Sequence, residues 1–299
     1  MIQIPPVQIN DTIGIVSTAR KISPEEIQPA IELLKNLGLK VKVGKSIGLE
    51  NNQFAGNDEE RSSDFQMMLD DPEIKAIWCA RGGYGTVRII DELDFSNFEE
   101  NPKWIIGYSD ITVLHSQLNI LGFESLHAQI AHNIDQKSES TRETLKNILF
   151  GKPVSYEILS SQMNKTGLCE GELVGGNLSI LYSLLGSTSA ISTEGKILFL
   201  EDLDEYLYHI DRMMQNLKRN GMFEDLNGLI IGGMSDMNDN QIPFGKKAAE
   251  IIQETVKEYD FPVCFEFPAG HIYDNRALVF GRRISMEITA EKTTIHYKS

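Results

Sequence analysis

The chain is predicted to be an α/β protein whose N-terminal part is built on a parallel sheet. Four stretches of strand type predict this. Thr12–Ala19 begins as an apolar run and passes into small residues, and Val41–Val43 is a second short run of strand type. Between them lies an amphipathic segment, so the opening of the chain reads as a β-α-β unit. Ile74–Cys79 and Trp104–Ile106 are further apolar runs, each followed by a turn and then by apolar residues at helical spacing.

In chain order, Ser23-Pro-Glu-Glu26 is a helix start, with a capping residue, proline at the first helical position and glutamate three after the cap. Ile27, Ala30, Ile31, Leu34 and Leu37 follow on one face, and Gly38 ends the helix. Asn51 to Asn57 is a polar loop, and Asp58 to Leu69 is a helix with Phe65, Met68 and Leu69 inward. The strand Ile74–Cys79 runs into Ala80-Arg-Gly-Gly-Tyr-Gly85, followed by a helix carrying Val87, Ile90 and Leu93. This turn fits neither G-x-G-x-x-G nor a P-loop. It is read either as a tight turn needing positive φ or as a source of backbone donors at the carboxyl edge of the sheet.

Trp104–Ile106 leads through Gly107-Tyr-Ser-Asp110 into a helix with Ile111, Leu114, Leu118 and Leu121 at its core face and Gly122 at its stop. A short helix spans Thr141 to Phe150. The weakly patterned stretch 151–170 is read as a linker between an N-terminal domain, 1–150, and a C-terminal domain, 171–299. The second half opens on Gly171–Ser179, a glycine-punctuated entry to a helix reaching about Leu185. It continues with the strand Lys196–Leu200, a helix from Tyr206 to Asn220, the strand Gly228–Gly233 and a helix from Lys246 to Tyr259. Ile284–Ile288 and Thr293–Tyr297 alternate as an antiparallel hairpin.

The 299 residues are 41% hydrophobic and 24% charged, an ordinary balance for a globular core, and the formal net charge is −15. That sign argues against nucleic acid or an anionic membrane as partner. Cys79, Cys169 and Cys264 are odd in number, widely spaced and set in apolar surroundings, as reduced core thiols are. With no visible signal peptide and no membrane-length apolar run, the expected location is cytoplasmic. His127 and His132 lack the spacing of paired metal ligands and no H-E-x-x-H occurs, so neither a metal nor a cofactor is expected.

Ser109 lies on the turn between strand and helix, where a hydroxyl projects clear of the backbone and the first helical N–H groups are free to bind an oxyanion. Ser109 or Asp110 could equally cap the helix, which is the commoner role of these residues. A nucleophilic serine needs a base and an acid to orient it. His271, after Pro-Ala-Gly in a loop, is the histidine best able to face a cleft. Glu201, the first polar residue after Lys196–Leu200, is the acid best held by a strand end. Arg81, with Arg20 as the weaker candidate, would suit recognition of a free substrate carboxylate.

Arg81-Gly-Gly-Tyr-Gly85, Gly107-Tyr-Ser-Asp110, Leu200-Glu-Asp202, Ile210-Asp-Arg212 and Gly270-His271 stand in this order over essentially the whole chain. Together they resemble the LD-carboxypeptidase family, the serine peptidases grouped with the microcin C self-immunity peptidases. The resemblance implies a Rossmann-like N-terminal domain carrying the nucleophile and a smaller C-terminal α/β domain carrying acid and histidine. The site would lie at their interface, in a protein that is often a homodimer. It implies a catalytic set of Ser109, His271 and Glu201, with oxyanion donors at the backbone of Asp110 and, in the glycine turn, Gly83. The implied reaction is release of the terminal D-alanine from murein tetrapeptide during cell-wall recycling. An aminoacyl-nucleotide peptidase of the microcin type, with Tyr206 and Tyr208 as stacking surfaces, and a non-catalytic α/β binding module are the alternatives.

Overall fold

The runs of β-branched and aromatic residues become strands, and parallel neighbours are joined by crossover helices. The computed structural model describes residues 1–298. The first half supplies β1 (Thr12–Val16), β2 (Lys40–Val43), β3 (Ile74–Cys79), β4 (Trp104–Gly107) and β5 (Ser125–His127), with helices α1 (Gln28–Asn36), α2 (Asp58–Asp70), α3 (Ser96–Glu100), α4 (Thr112–Leu121) and α5 (Glu139–Leu149). The second half supplies β6 (Ser155–Leu159), β7 (Gly167–Asn177), β8 (Lys196–Leu203), β9 (Gly228–Ser235), β10 (Val263–Cys264), β11 (Leu278–Phe280), β12 (Arg283–Ile288) and β13 (Lys292–Tyr297). Its helices are α6 (Leu178–Leu184), α7 (Leu207–Arg219) and α8 (Ala248–Val256).

The first sheet has the order β11-β5-β4-β3-β1-β2, parallel except for the antiparallel pairing of β11 with β5. β2 and β3 leave β1 in opposite directions, so the carboxyl ends of β1 and β3 flank a topological switch point. That is where an open α/β sheet offers a crevice. The second sheet runs β10-β9-β8-β7-β12-β13-β6 and is parallel from β7 to β10. Leu198, Leu200, Leu229 and Ile231 on one of its faces pack against Ile210, Met213, Leu217 and Ile252 of α7 and α8. The α/β class and the parallel N-terminal sheet agree with the sequence reading.

Three stretches differ from it. Residues 151–170 contain β6 and the start of β7, and β11 returns from the second half to complete the first sheet. Gly171–Ser179 is strand down to Asn177, and the Asn177 side chain accepts from Ile180 N to cap α6. Between Gly85 and Asp94 there are two 3-10 turns, Thr86–Arg88 and Ile90–Glu92, in place of a helix. The first is pinned at its start, where the Thr86 N–H donates to Asp110 Oδ2 at 2.8 Å.

The two halves meet where β7 ends against the start of α4. Asn177 N donates to Thr112 Oγ1 at 3.0 Å, with Thr112 fully buried. Gly176 adopts φ +141°, and a Cβ there would lie 2.4 Å from Thr112 Oγ1, so this contact admits only glycine. It fixes the end of the second sheet against the helix that follows Ser109.

Candidate active site

Buried β4 delivers Tyr108 in extended conformation, and the chain then reverses through Ser109 at φ +64° before a 3-10 turn leads into α4. A serine in the left-handed region costs of order 1–3 kcal/mol and persists only where its surroundings impose it. The side chain of Asp110, 1% exposed, imposes it in part by accepting Thr86 N–H, tying the serine turn to the glycine turn after β3. Burial raises the Asp110 carboxyl above the ordinary range, against the bonds from Thr86 and Gly85 and the nearby Arg61 guanidinium. Gly82 is so close that a Cβ on it would lie 3.3 Å from Ser109 Cβ.

β8 carries Glu201 two residues before its end at Leu203; the residue is 0% exposed, beside an irregularity in the pairing with β9 between Leu200 and Asp202. Glu201 Oε2 accepts from His271 Nδ1 at 2.6 Å and from the His271 backbone N–H at 3.1 Å. His271 Nε2 faces Ser109 Oγ at 3.1 Å. Because Nδ1 must donate to the carboxylate, Nε2 is left as the acceptor for the serine hydroxyl. Burial disfavours the imidazolium, but the charge and hydrogen bond of Glu201, with Asp202 adding, outweigh it and raise His271 above the ordinary 6.5. The Tyr108 ring packs against the imidazole with centroids 4.7 Å apart and fixes its other face.

Asp202 accepts from Asn177 Nδ2 and Ser179 N, both at 2.9 Å, which holds the α6 N-terminus to the end of β8. Burial and the adjacent Glu201 push its carboxyl up to about 7. Ser109 and His271 open onto a cleft of about 420 Å³ between the two halves. One wall carries Arg20 and Arg81 from the loops after β1 and β3; the other carries Asp202, Asp204 and Glu205.

Of the residues singled out from sequence, Ser109, Glu201 and His271 come together in one hydrogen-bonded line. Gly83, at φ +107°, lines the same cleft, and a Cβ on it would meet the Arg20 stem at 2.5 Å. Arg81 also lines it, with Nη1 donating to Lys21 O and Glu26 Oε1, both at 3.2 Å. His115 lies apart from this line, buried between Gly107 O and Ser125 Oγ, each 2.9 Å away, and burial lowers it to about 4. Asp202, Tyr108 and His132 escaped the sequence reading as members of the cleft. The second acid of Leu200-Glu-Asp202 was the one available signal.

This geometry suits acyl transfer by a serine nucleophile: a hydroxyl, a base aligned on it and a buried acid that fixes the base. The sequence matches the LD-carboxypeptidase N-terminal domain over residues 13–128 and the LD-carboxypeptidase C-terminal domain over residues 170–286. It is 35% identical to a probable murein peptide carboxypeptidase of Bacillus subtilis, over 95% of this chain and 91% of that protein. It is 24% identical to the microcin C7 self-immunity protein MccF of Escherichia coli, over 97% of this chain and 94% of that protein. The crystal structure of a muramoyltetrapeptide carboxypeptidase from Oxalobacter formigenes superposes with a TM-score of 0.88 at 27% identity, covering 96% of this chain and 99% of that one. The chain therefore belongs to the LD-carboxypeptidase family and is a serine-type carboxypeptidase.

Proposed function

We propose that this enzyme releases the terminal D-alanine of murein tetrapeptide in cytoplasmic cell-wall recycling, through a catalytic triad of Ser109, His271 and Glu201. The observation that carries the reading is the unbroken line Ser109 Oγ, His271 Nε2, His271 Nδ1, Glu201 Oε2, with both spacings at hydrogen-bond length. His271 takes the hydroxyl proton as Ser109 Oγ bonds to the carbonyl carbon preceding D-alanine. The backbone N–H of Asp110, and that of Gly83 in the glycine turn beside it, stabilise the oxyanion. The protonated imidazole then donates to the leaving amine as the C–N bond breaks, and water, deprotonated by His271, hydrolyses the ester to restore Ser109. The buried Glu201 carboxylate holds the required tautomer throughout. Side-chain acid–base chemistry supplies every step.

The names of the Bacillus and Oxalobacter relatives support a murein peptide as substrate. An aminoacyl nucleotide of the microcin type is the competing substrate. Tyr206 and Tyr208, the pair on which a purine would stack, lie 5.6 Å apart against each other, with Tyr208 also under Arg212, and neither is among the cleft-lining residues. The charged walls of the cleft fit a short zwitterionic peptide better. Among the described residues no helix is long and apolar enough to cross a membrane. As the family resemblance implies, the working form is a homodimer.

The test is to incubate the enzyme, with EDTA present, with murein tetrapeptide and separately with a glutamyl or aspartyl nucleotide amide. Loss of one alanine from the tetrapeptide supports the reading. Turnover of the nucleotide substrate alone rejects it in favour of the microcin type.

A further inference from the structure

A carboxypeptidase must recognise the free carboxylate that lies two bonds beyond the scissile nitrogen, and the cleft has a second cluster one residue from the nucleophile. Arg81 directly precedes Gly82, the residue that approaches Ser109. Its Nη1 is engaged by Lys21 O and by Glu26 Oε1, which leaves Nη2 and Nε outside these bonds. Glu26 is itself held, its Oε2 accepting the Ser23 N–H at 2.8 Å. On the same wall His132 is anchored by its backbone N–H to Ala80 O at 3.0 Å, at the end of β3. Its buried Nδ1 has no hydrogen-bond partner among the described residues, and Glu26 Oε1 is 3.7 Å away, too far for one. Both side chains line the cleft.

Resting on the reading under Proposed function, we infer that Arg81 and His132 form the subsite for the substrate's terminal carboxylate, with Glu26 as the positioning residue that orients the Arg81 guanidinium. The opposite wall, with Asp202, Asp204 and Glu205, repels an anion and leaves this side as its berth. The charged groups acting on the His132 imidazole are Arg81, Glu26 and Asp135. Burial first, and then Arg81, hold it below the ordinary 6.5 in the free enzyme. A carboxylate arriving between Arg81 and His132 cancels the arginine's repulsion and draws a proton onto the imidazole, adding a second charged donor. Binding of the free acid is therefore coupled to proton uptake.

The experiment compares kcat and KM for murein tetrapeptide ending in D-alanine with those for the same peptide ending in D-alaninamide. Wild type, Arg81→Lys, His132→Gln, Glu26→Gln and Arg20→Lys are measured across pH. Wild type is expected to prefer the free acid by about 100-fold in kcat/KM, with KM for the acid rising as pH rises. Arg81→Lys and His132→Gln each cut that preference about tenfold through KM, and His132→Gln flattens its pH dependence. Glu26→Gln raises KM for the acid with little change in kcat, a split that a general loss of fold would not produce. Turnover of both peptides without preference by wild type overturns the subsite alone, as does a preference abolished by Arg20→Lys but kept in Arg81→Lys and His132→Gln. Absence of turnover of either peptide overturns the carboxypeptidase reading and the subsite with it.

Discussion

One oxygen of Glu201 receives both the ring Nδ1 and the backbone N–H of His271, at 2.6 and 3.1 Å. The acid thus sets the ring's tautomer and the position of the loop that carries it. The other oxygen, Oε1, is buried with no hydrogen-bond partner among the described residues, so the carboxylate is held at a cost to stability. Glu201→Gln should therefore separate function from stability. It should lower kcat by about 10³–10⁴-fold through loss of the tautomer and of imidazolium stabilisation, while thermal melts show a Tm equal to or above wild type.

The raised pKa of His271 gives the activity a definite pH sign. The base must be neutral to accept the Ser109 proton, so kcat/KM should fall as pH drops through a value above 6.5, placing the acid limb higher than for a free histidine. The stability contribution runs the other way. A histidine whose folded pKa is raised stabilises the protein below its unfolded value, and that contribution is lost as pH rises through the folded one. A pH-rate profile with its acid limb below 6.5 would contradict this.

Asp202 supplies a second test with the same sign. Its folded value of about 7 lies above the ordinary 3.8, so its contribution to stability is full below the ordinary value and lost as pH rises through about 7. Asp202→Asn replaces an acceptor with a donor facing Asn177 Nδ2 or Ser179 N and should be less stable than wild type at pH 5. By pH 8, where wild type carries a buried charge, the gap should narrow. Paired thermal melts at the two pH values measure it.

Gly176→Ala should destabilise the protein by roughly 2–4 kcal/mol, because the new methyl meets Thr112 and the backbone sits at φ +141°. Thr112 opens the helix directly after the Ser109 turn, so kcat should fall along with stability. Denaturant titration and steady-state kinetics on the same preparation test both.

Much of this was legible in the sequence because local rules and tertiary structure agree. Trp104–Gly107 followed by a helical repeat declares a buried strand and its crossover, and Ser109 falls at the turn between them. Lys196–Leu200 declares the strand that carries Glu201 for the same reason, although pairing with β9 extends that strand past Glu201 to Leu203. What the sequence left open has non-local causes. The strand character of Ser155–Leu159 comes from pairing with β13, far along the chain, and β11 joins the first sheet from the second half. His132 has no motif around it; only the fold sets it beside Arg81 and Glu26. The glycine turn carries no helical signal that separates two 3-10 turns from one helix, since the Asp110 carboxylate that pins Thr86 lies on another loop.

The most direct measurement is the initial rate of D-alanine release from murein tetrapeptide by wild type and by Ser109→Ala, followed by mass spectrometry with EDTA in both reactions. The account predicts release of a single alanine by wild type and a rate at least about 10⁴-fold lower for Ser109→Ala. Release by Ser109→Ala within tenfold of wild type would contradict the role assigned to Ser109, and the triad with it.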